Sequence, residues 1–232
     1  MPTPHDEKKA VEFLALLPQQ TKVPQSTLEN DTLQSVRGEL ESIDEDAWSS
    51  IDDNILFPKD KVHKEGKSVG ICSCVGTVQT SPEQVLCSCF SSDSDYDMAK
   101  HVKANGNNLE QYPNLIVSRI NHHHRITYAC RKLPFPLVAR DWLQRVIFTQ
   151  QNGDKFVLVW KFVDKKSEDV PIFAPSTLKE GEKRIRGEFT AVCTFERLPH
   201  DCCKFTYIVK VSDASNEQAS ERFGAREENT FD

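Results

Sequence analysis

The chain has no long apolar segment. Nowhere in its 232 residues does an apolar run come near the roughly 18 residues that a membrane-spanning helix needs. The start of the chain mixes acidic and basic side chains before the short stretch VEFLALL, whereas a secretory signal begins basic and has a longer apolar core. Lipidation motifs are absent as well. We therefore expect a cytoplasmic protein whose N-terminus forms an amphipathic turn.

An excess of positive charge is also missing. The chain carries 29 Lys and Arg residues against 35 Asp and Glu residues, a formal net charge of −6. Binding to the phosphates of a nucleic acid requires a basic surface. Nucleic acid is therefore excluded as the main partner.

Catalytic and metal-binding motifs are scarce. Neither a Gly-x-Ser-x-Gly sequence nor a P-loop occurs. His101, His200 and Asp201 stand alone in predicted helices or turns. The histidines at 122–124 and two Cys-x-Cys pairs raise zinc as an alternative, but consecutive histidines alternate faces and thiols at this helical spacing point about 200° apart. We predict no metal, no cofactor and no catalytic residue.

Disulfides are not expected, although the chain has eight cysteines. Two pairs are separated by a single residue, and Cys202 and Cys203 are adjacent. Free thiols in a reducing compartment, packed as small apolar groups, fit this spacing better.

Helical signals occupy the first half of the chain. Residues 26–43 have apolar positions near helical spacing and a serine or threonine start. Ser81 is a predicted helix cap, Pro82 suits the first turn, and Gln84 suits a capping box. Residues 82–103 form one helix or two.

The second half is dominated by strands. Residues 68–79 form a candidate strand, and three hairpins are predicted around the sequences NHHH, NGD and PHD. Early helices followed by six or seven antiparallel strands indicate an α+β domain with a curved sheet.

Four sequence motifs resemble the START family of lipid-transfer domains. They are KLPFPLVARDW, GTVQTSPEQVLCSCF, IRGEF and CKFTYIVKVSD, and they occur in the family's order. Within the family the phosphatidylcholine-transfer type is the most similar. The resemblance implies a helix-grip fold, in which an antiparallel sheet curls around a long C-terminal helix and encloses a lipid in a hydrophobic cavity.

The implied function is non-enzymatic lipid binding and lipid transport, with a phospholipid or sterol ligand and a transient membrane surface as partners. The START-like domain would span residues 31–213, after a polar, partly helical or disordered segment at 1–30. Residues 214–232 form a polar tail with almost no apolar face. We therefore expect the closing helix to be lost, truncated or replaced, and VEFLALL near the N-terminus is a candidate replacement.

The resemblance also implies which residues contact lipid. Aligned on Arg140 and Asp141, the chain lacks most of the choline cage, has Gly106 in place of the phosphate-binding arginine, and turns Arg145 to the opposite face.

The loop at 164–183 is the expected gate. Arg140, Asp141 and Arg186 are expected to be structural. The predicted lipid-binding residues are Trp142, Val146, Trp160, Phe189, Thr190, Ala129 and, near the entrance, Glu110.

Two other functions remain open. A degenerate START-like module that binds a protein and no lipid would explain the unusual C-terminus. An enzyme on the same fold is the third possibility, because a fold alone does not assign chemistry.

Overall fold

The structure is a computed structural model, and it describes the chain in ten segments. These are residues 4–41, 43, 49–50, 61–65, 69–91, 94–106, 108, 112–132, 138–163 and 184–213. The helices are α1 (Pro4–Gln20), α2 (Thr27–Glu41), α3 (Pro82–Phe90) and α4 (Asp95–Ala104). The strands are β1 (Ser49–Ser50), β2 (Lys61–Glu65), β3 (Val69–Val78), β4 (Asn114–Asn121), β5 (His124–Arg131), β6 (Ala139–Asn152), β7 (Lys155–Phe162), β8 (Arg184–Leu198) and β9 (Cys202–Asp213).

Helices α2 and α3 begin at the predicted caps. Before α2, the Ser26 hydroxyl accepts from the Glu29 backbone N–H (3.3 Å) and the Ser26 N–H donates to the Glu29 carboxylate (2.7 Å), a reciprocal capping box. Before α3, the Ser81 hydroxyl accepts from the Gln84 N–H at 3.3 Å. The Gln84 side chain accepts from the Thr80 hydroxyl, so the predicted reciprocal bond to Ser81 is replaced by a contact one residue earlier.

The sheet has nine strands within the described residues, more than the predicted six or seven. Their order is β1-β2-β3-β9-β8-β7-β6-β5-β4, and the three predicted hairpins are confirmed as β4–β5, β6–β7 and β8–β9. Strands β1 and β2 were missed because the sequences SS and KVHKE lack the apolar alternation that marks a strand. The predicted α+β class with a curved antiparallel sheet is confirmed.

One parallel contact interrupts the antiparallel pattern. Strand β7 ends at Phe162, opposite Gln144 of β6. Beyond that point the first residues of β6 and β8 pair directly, with Asp141 opposite Arg186. The RDW and RGE sequences, far apart in the chain, therefore lie side by side.

The two faces of the sheet carry different helices. Helix α2 packs Leu33, Val36 and Leu40 against one face, which we call the outer face. Helices α1 and α3 pack against the other, which we call the inner face. Because side chains alternate along a strand, neighbouring residues of β6 belong to different faces. The outer-face residues under α2 are Ile147, Val157, Val159 and Val192.

Helix α1 is a helix of 17 residues, not the short amphipathic turn that the sequence predicts. Its Phe13 ring lies 5.9 Å from that of Phe90 in α3 and 5.8 Å from that of Phe148 in β6, measured between centroids. Its Asp6 carboxylate accepts from the Asp95 N–H at 2.6 Å, at the start of α4. The N-terminal apolar stretch therefore covers part of the inner face.

Candidate functional site

One end of the inner face is a packed core, and we call it the packed end. Phe90 of α3 meets Phe148 edge to face at a centroid distance of 4.9 Å. Val146 is 1 % exposed and belongs to this cluster, so the structure places this predicted lipid contact in the core. The buried strand residues of the packed end are Val146, Phe148, Phe156, Leu158, Cys193, Phe195 and Cys203.

The other end of the inner face bears partly buried side chains, and we call it the open end. It comprises Ala129, Trp142 and Phe189, with Trp160 at its border with the packed end. Ala129 is the cross-strand partner of Trp142. Trp160 meets Tyr207 edge to face at 6.2 Å between centroids. Four of the predicted lipid contacts are thus brought together.

Thr190 is separated from this group. It follows Phe189 on β8, so its side chain belongs to the outer face. Its cross-strand partner is Lys210, whose ammonium lies 3.2 Å from the Glu39 carboxylate of α2. The sequence alignment put Thr190 beside Phe189 in the cavity, and strand alternation turns it away.

Asp141 forms its ion pair with Arg186, not with its sequence neighbour Arg140. The Arg186 guanidinium reaches the two carboxylate oxygens at 2.9 and 3.2 Å, and the Tyr128 hydroxyl donates to Asp141 at 2.9 Å. Burial and the nearby Asp141 charge raise the pKa of Tyr128. Arg140 donates to the Val138 carbonyl at 3.4 Å. These contacts join β5, β6 and β8 at their ends.

Gly187 makes room for Trp142. A Cβ atom at Gly187 would lie 2.5 Å from the indole Nε1 atom of Trp142. That distance is far inside contact range, so only glycine fits beneath the ring. Among the described residues, the buried indole N–H of Trp142 has no hydrogen-bond acceptor. The RGE and RDW sequences are therefore complementary: Arg186 neutralises Asp141, and Gly187 accommodates Trp142.

Solved structures share this architecture. Human STARD10 superimposes with a TM-score of 0.51 at 12% identity, covering 88% of this chain and 77% of that one. The human StarD13 (DLC2) lipid transfer and protein localization domain gives 0.52 at 12%, over 87% and 91%. Human StAR-related lipid transfer protein 5 gives 0.51 at 13%, over 86% and 88%. The chain has a START-like fold. Neither a family model nor a curated protein matches the sequence.

Several expectations for this START-like fold lie outside the described residues. They are the entrance residue Glu110, the gate at 164–183 and the tail at 214–232. The similarity at 12–14% identity supports the fold and does not single out a phosphatidylcholine-transfer type. In the described part of the chain, no helix has the length and apolarity to cross a bilayer.

Thiols form part of the inner face. Tyr207 pairs with Cys74 on one side and Cys193 on the other, so the two cysteines flank it across three strands. Burial raises the pKa of Cys193, and it raises the pKa of Cys89 to about 11. All eight cysteines are free. With their pKa values raised, the thiols of Cys89 and Cys193 are apolar wall groups and poor nucleophiles.

A buried polar network on the outer face was missed by sequence reasoning. His124 Nδ1 lies 2.8 Å from the Glu29 carboxylate, and its Nε2 lies 2.8 Å from Arg145. Because a guanidinium only donates, Nε2 of His124 accepts and Nδ1 carries the proton that it donates to Glu29. Arg145 does face away from the inner face, as predicted. The sequence signal was only the capping pattern at Glu29.

The charges of this network are set by their surroundings. Burial alone would raise the pKa of Glu29, but hydrogen bonds from Ser26 and Asn121 and the charge of His123 lower it to about 2. Burial and the Arg145 charge lower the pKa of His124. The network joins the start of α2 to the β4–β5 hairpin and to β6. Glu29 is 1 % exposed, so the network is closed off from solvent and its role is structural.

Proposed function

We propose that the chain binds an amphipathic lipid, a phospholipid or a sterol, along the inner face of its sheet. It catalyses no reaction on that lipid and carries it during transient contact with a membrane surface. The START-like fold supports this proposal, because the solved structures that share it include domains named for lipid transfer.

The observation that carries the proposal is the open end. Trp142, Trp160 and Phe189 are large aromatic side chains on one face, and each is only partly buried. Covering about 100 Å² of such surface stabilises a complex by roughly 2.5 kcal/mol. A lipid chain lying against the open end supplies that cover. The indole N–H of Trp142 offers a donor to an ester or hydroxyl oxygen of the lipid.

The eight free cysteines support a reducing location for this activity. We therefore place the protein in the cytoplasm.

The test uses two adjacent residues on opposite faces of β8. Phe189→Ala removes apolar surface from the open end, and Thr190→Ala is its matched control on the outer face. We expect saturable uptake of a fluorescent phospholipid or sterol by the wild-type chain, weakened about tenfold by Phe189→Ala and unchanged by Thr190→Ala. Native mass spectrometry of the purified chain checks for a stoichiometric co-purified lipid.

Other results have definite meanings. A folded chain that binds no lipid by either measurement refutes the proposal and favours a protein-interaction module on this fold. Equal losses in both variants place the lipid elsewhere than the inner face.

A further inference from the structure

A cavity lies between α1 and the β4–β5 hairpin, at the edge of the inner face. We call it the α1–hairpin cleft. Its volume is about 440 Å³, and its walls include Phe13 and Gln20 of α1, Phe90 of α3, and Arg119 and Arg125 of the hairpin. It shares Phe13 and Phe90 with the packed end. Arg125 is also the cross-strand partner of Val146, so the cleft adjoins the inner face directly.

The cleft is positively charged although the chain is acidic. Lys9, Arg119 and Arg125 line it, and Glu12 is the one carboxylate among the described residues of its wall. Three positive charges and one negative charge give a formal charge of +2, against −6 for the whole chain. In a concave basic site, the apolar walls strengthen the positive electrostatic potential, which favours binding of an anion.

Arg125 is held in a fixed position. It is 2 % exposed, and its guanidinium carbon lies 4.0 Å from the centroid of the Phe90 ring. Stacking on an aromatic ring orients the planar guanidinium, whose geometry matches a phosphate group. Arg119 is exposed on the same wall and adds a second guanidinium.

Gln20 requires a ligand that donates a hydrogen bond. Its side chain is 6 % exposed, and its Oε1 atom is buried without a hydrogen-bond partner among the described residues. An amide oxygen only accepts, so a ligand completes this site by presenting a hydroxyl group. A quaternary ammonium head group has no hydrogen to donate there.

We infer that the α1–hairpin cleft takes the head group of an anionic phospholipid that bears free hydroxyls. The phosphate lies among Lys9, Arg119 and Arg125, and a head-group hydroxyl donates to Gln20. Phe13 and Leu16 on the α1 wall receive the first carbons of the lipid. This inference rests on the proposed function and names the class of lipid that it concerns.

The experiment offers the full-length chain equal mixtures of lipids in vesicles and measures the bound lipids by native mass spectrometry. Phosphatidylglycerol is anionic and bears hydroxyls, phosphatidylmethanol is anionic without them, and phosphatidylcholine is zwitterionic. We expect phosphatidylglycerol to be enriched about tenfold over phosphatidylcholine, consistent with one charge-assisted hydrogen bond. It should also be enriched several-fold over phosphatidylmethanol.

Paired variants locate the site. Lys9→Gln and Arg119→Gln should each reduce the preference for anionic lipid, whereas Lys8→Gln should not. Lys8 is the matched control because it is the neighbouring lysine of α1, its side chain is 75% exposed, and it does not line the cleft. Gln20→Leu should remove the preference over phosphatidylmethanol and keep the preference over phosphatidylcholine.

The outcomes separate this inference from the proposed function. Lipid uptake without head-group selection, or equal effects of Lys8→Gln and Lys9→Gln, overturns the cleft assignment and leaves lipid binding intact. Unchanged selection in Gln20→Leu overturns the hydroxyl contact. If no lipid is taken up but inorganic phosphate or glycerophosphoglycerol binds in the cleft, the site is one for a soluble phosphate and both proposals fail.

Discussion

The two ends of the inner face share one alternating apolar pattern and differ in what covers them. At the packed end, apolar side chains of β6 to β8 lie under α1 and α3 and are almost fully buried. At the open end, Trp142 and Phe189 continue the same alternating pattern on the same strands. Neither belongs to a hydrophobic core cluster of the described residues. The alternating pattern specifies an apolar face. What covers that face is decided by elements elsewhere in the chain.

The largest expected effect distinguishes the two ends by stability. Phe148→Ala should lower the free energy of unfolding by about 4 kcal/mol, because it empties a site that is 1 % exposed and contacted by Phe13 and Phe90. Phe189→Ala at the open end should cost only about 1 kcal/mol. Urea denaturation of both variants measures the difference, and similar losses would mean that the open end is core.

The next effect concerns the outer face behind the packed end. Glu29→Gln should cost about 3 kcal/mol, because it removes the buried carboxylate that accepts from Ser26, Asn121 and His124. Glu12→Gln is the control, since that side chain is 61% exposed on α1. Thermal unfolding at neutral pH compares the two, and equal stabilities would show that the network contributes nothing.

The same network predicts the acid response. The pKa values of His124 and Glu29 are both lowered by folding, so each group stabilises the fold above its unfolded pKa and loses that contribution as the pH falls. Stability should therefore decline first below about pH 6.5. A second decline should run from about 4.5 toward 2. In Glu29→Gln the second decline should be smaller.

The last prediction tests the open end with a substitution that adds a methyl group. Gly187→Ala should cost about 2 kcal/mol and displace the Trp142 ring, since the new methyl group meets the indole. Gly70→Ala is the control, because a Cβ there meets no atom within 4 Å. Urea denaturation with tryptophan emission as the signal reports both changes. An unshifted emission maximum in Gly187→Ala would contradict the close contact.

Local features of the fold could be predicted from the sequence. Ser26 and Ser81 cap helices where the pattern places them, and the three late hairpins turn where their loop residues indicate. These signals depend on near neighbours in the chain.

Long-range partners could not be predicted in the same way. Glu29 and His124 are 95 residues apart, and Asp141 and Arg186 are 45 apart. Thr190 was misassigned because an alignment position carries no information about which side of a strand a residue occupies. That error is corrected by a single fact, the period of two along a strand.

The parallel contact between β6 and β8 has a consequence for folding. If β8 slipped by one residue against β6, Arg186 would leave Asp141 and a side chain would replace Gly187 beneath Trp142. The slipped pairing therefore combines an unpaired buried charge with a steric clash. These four residues therefore favour the observed register over a slipped one. They disfavour a misregistered sheet at a junction that closes only after distant segments of the chain have met.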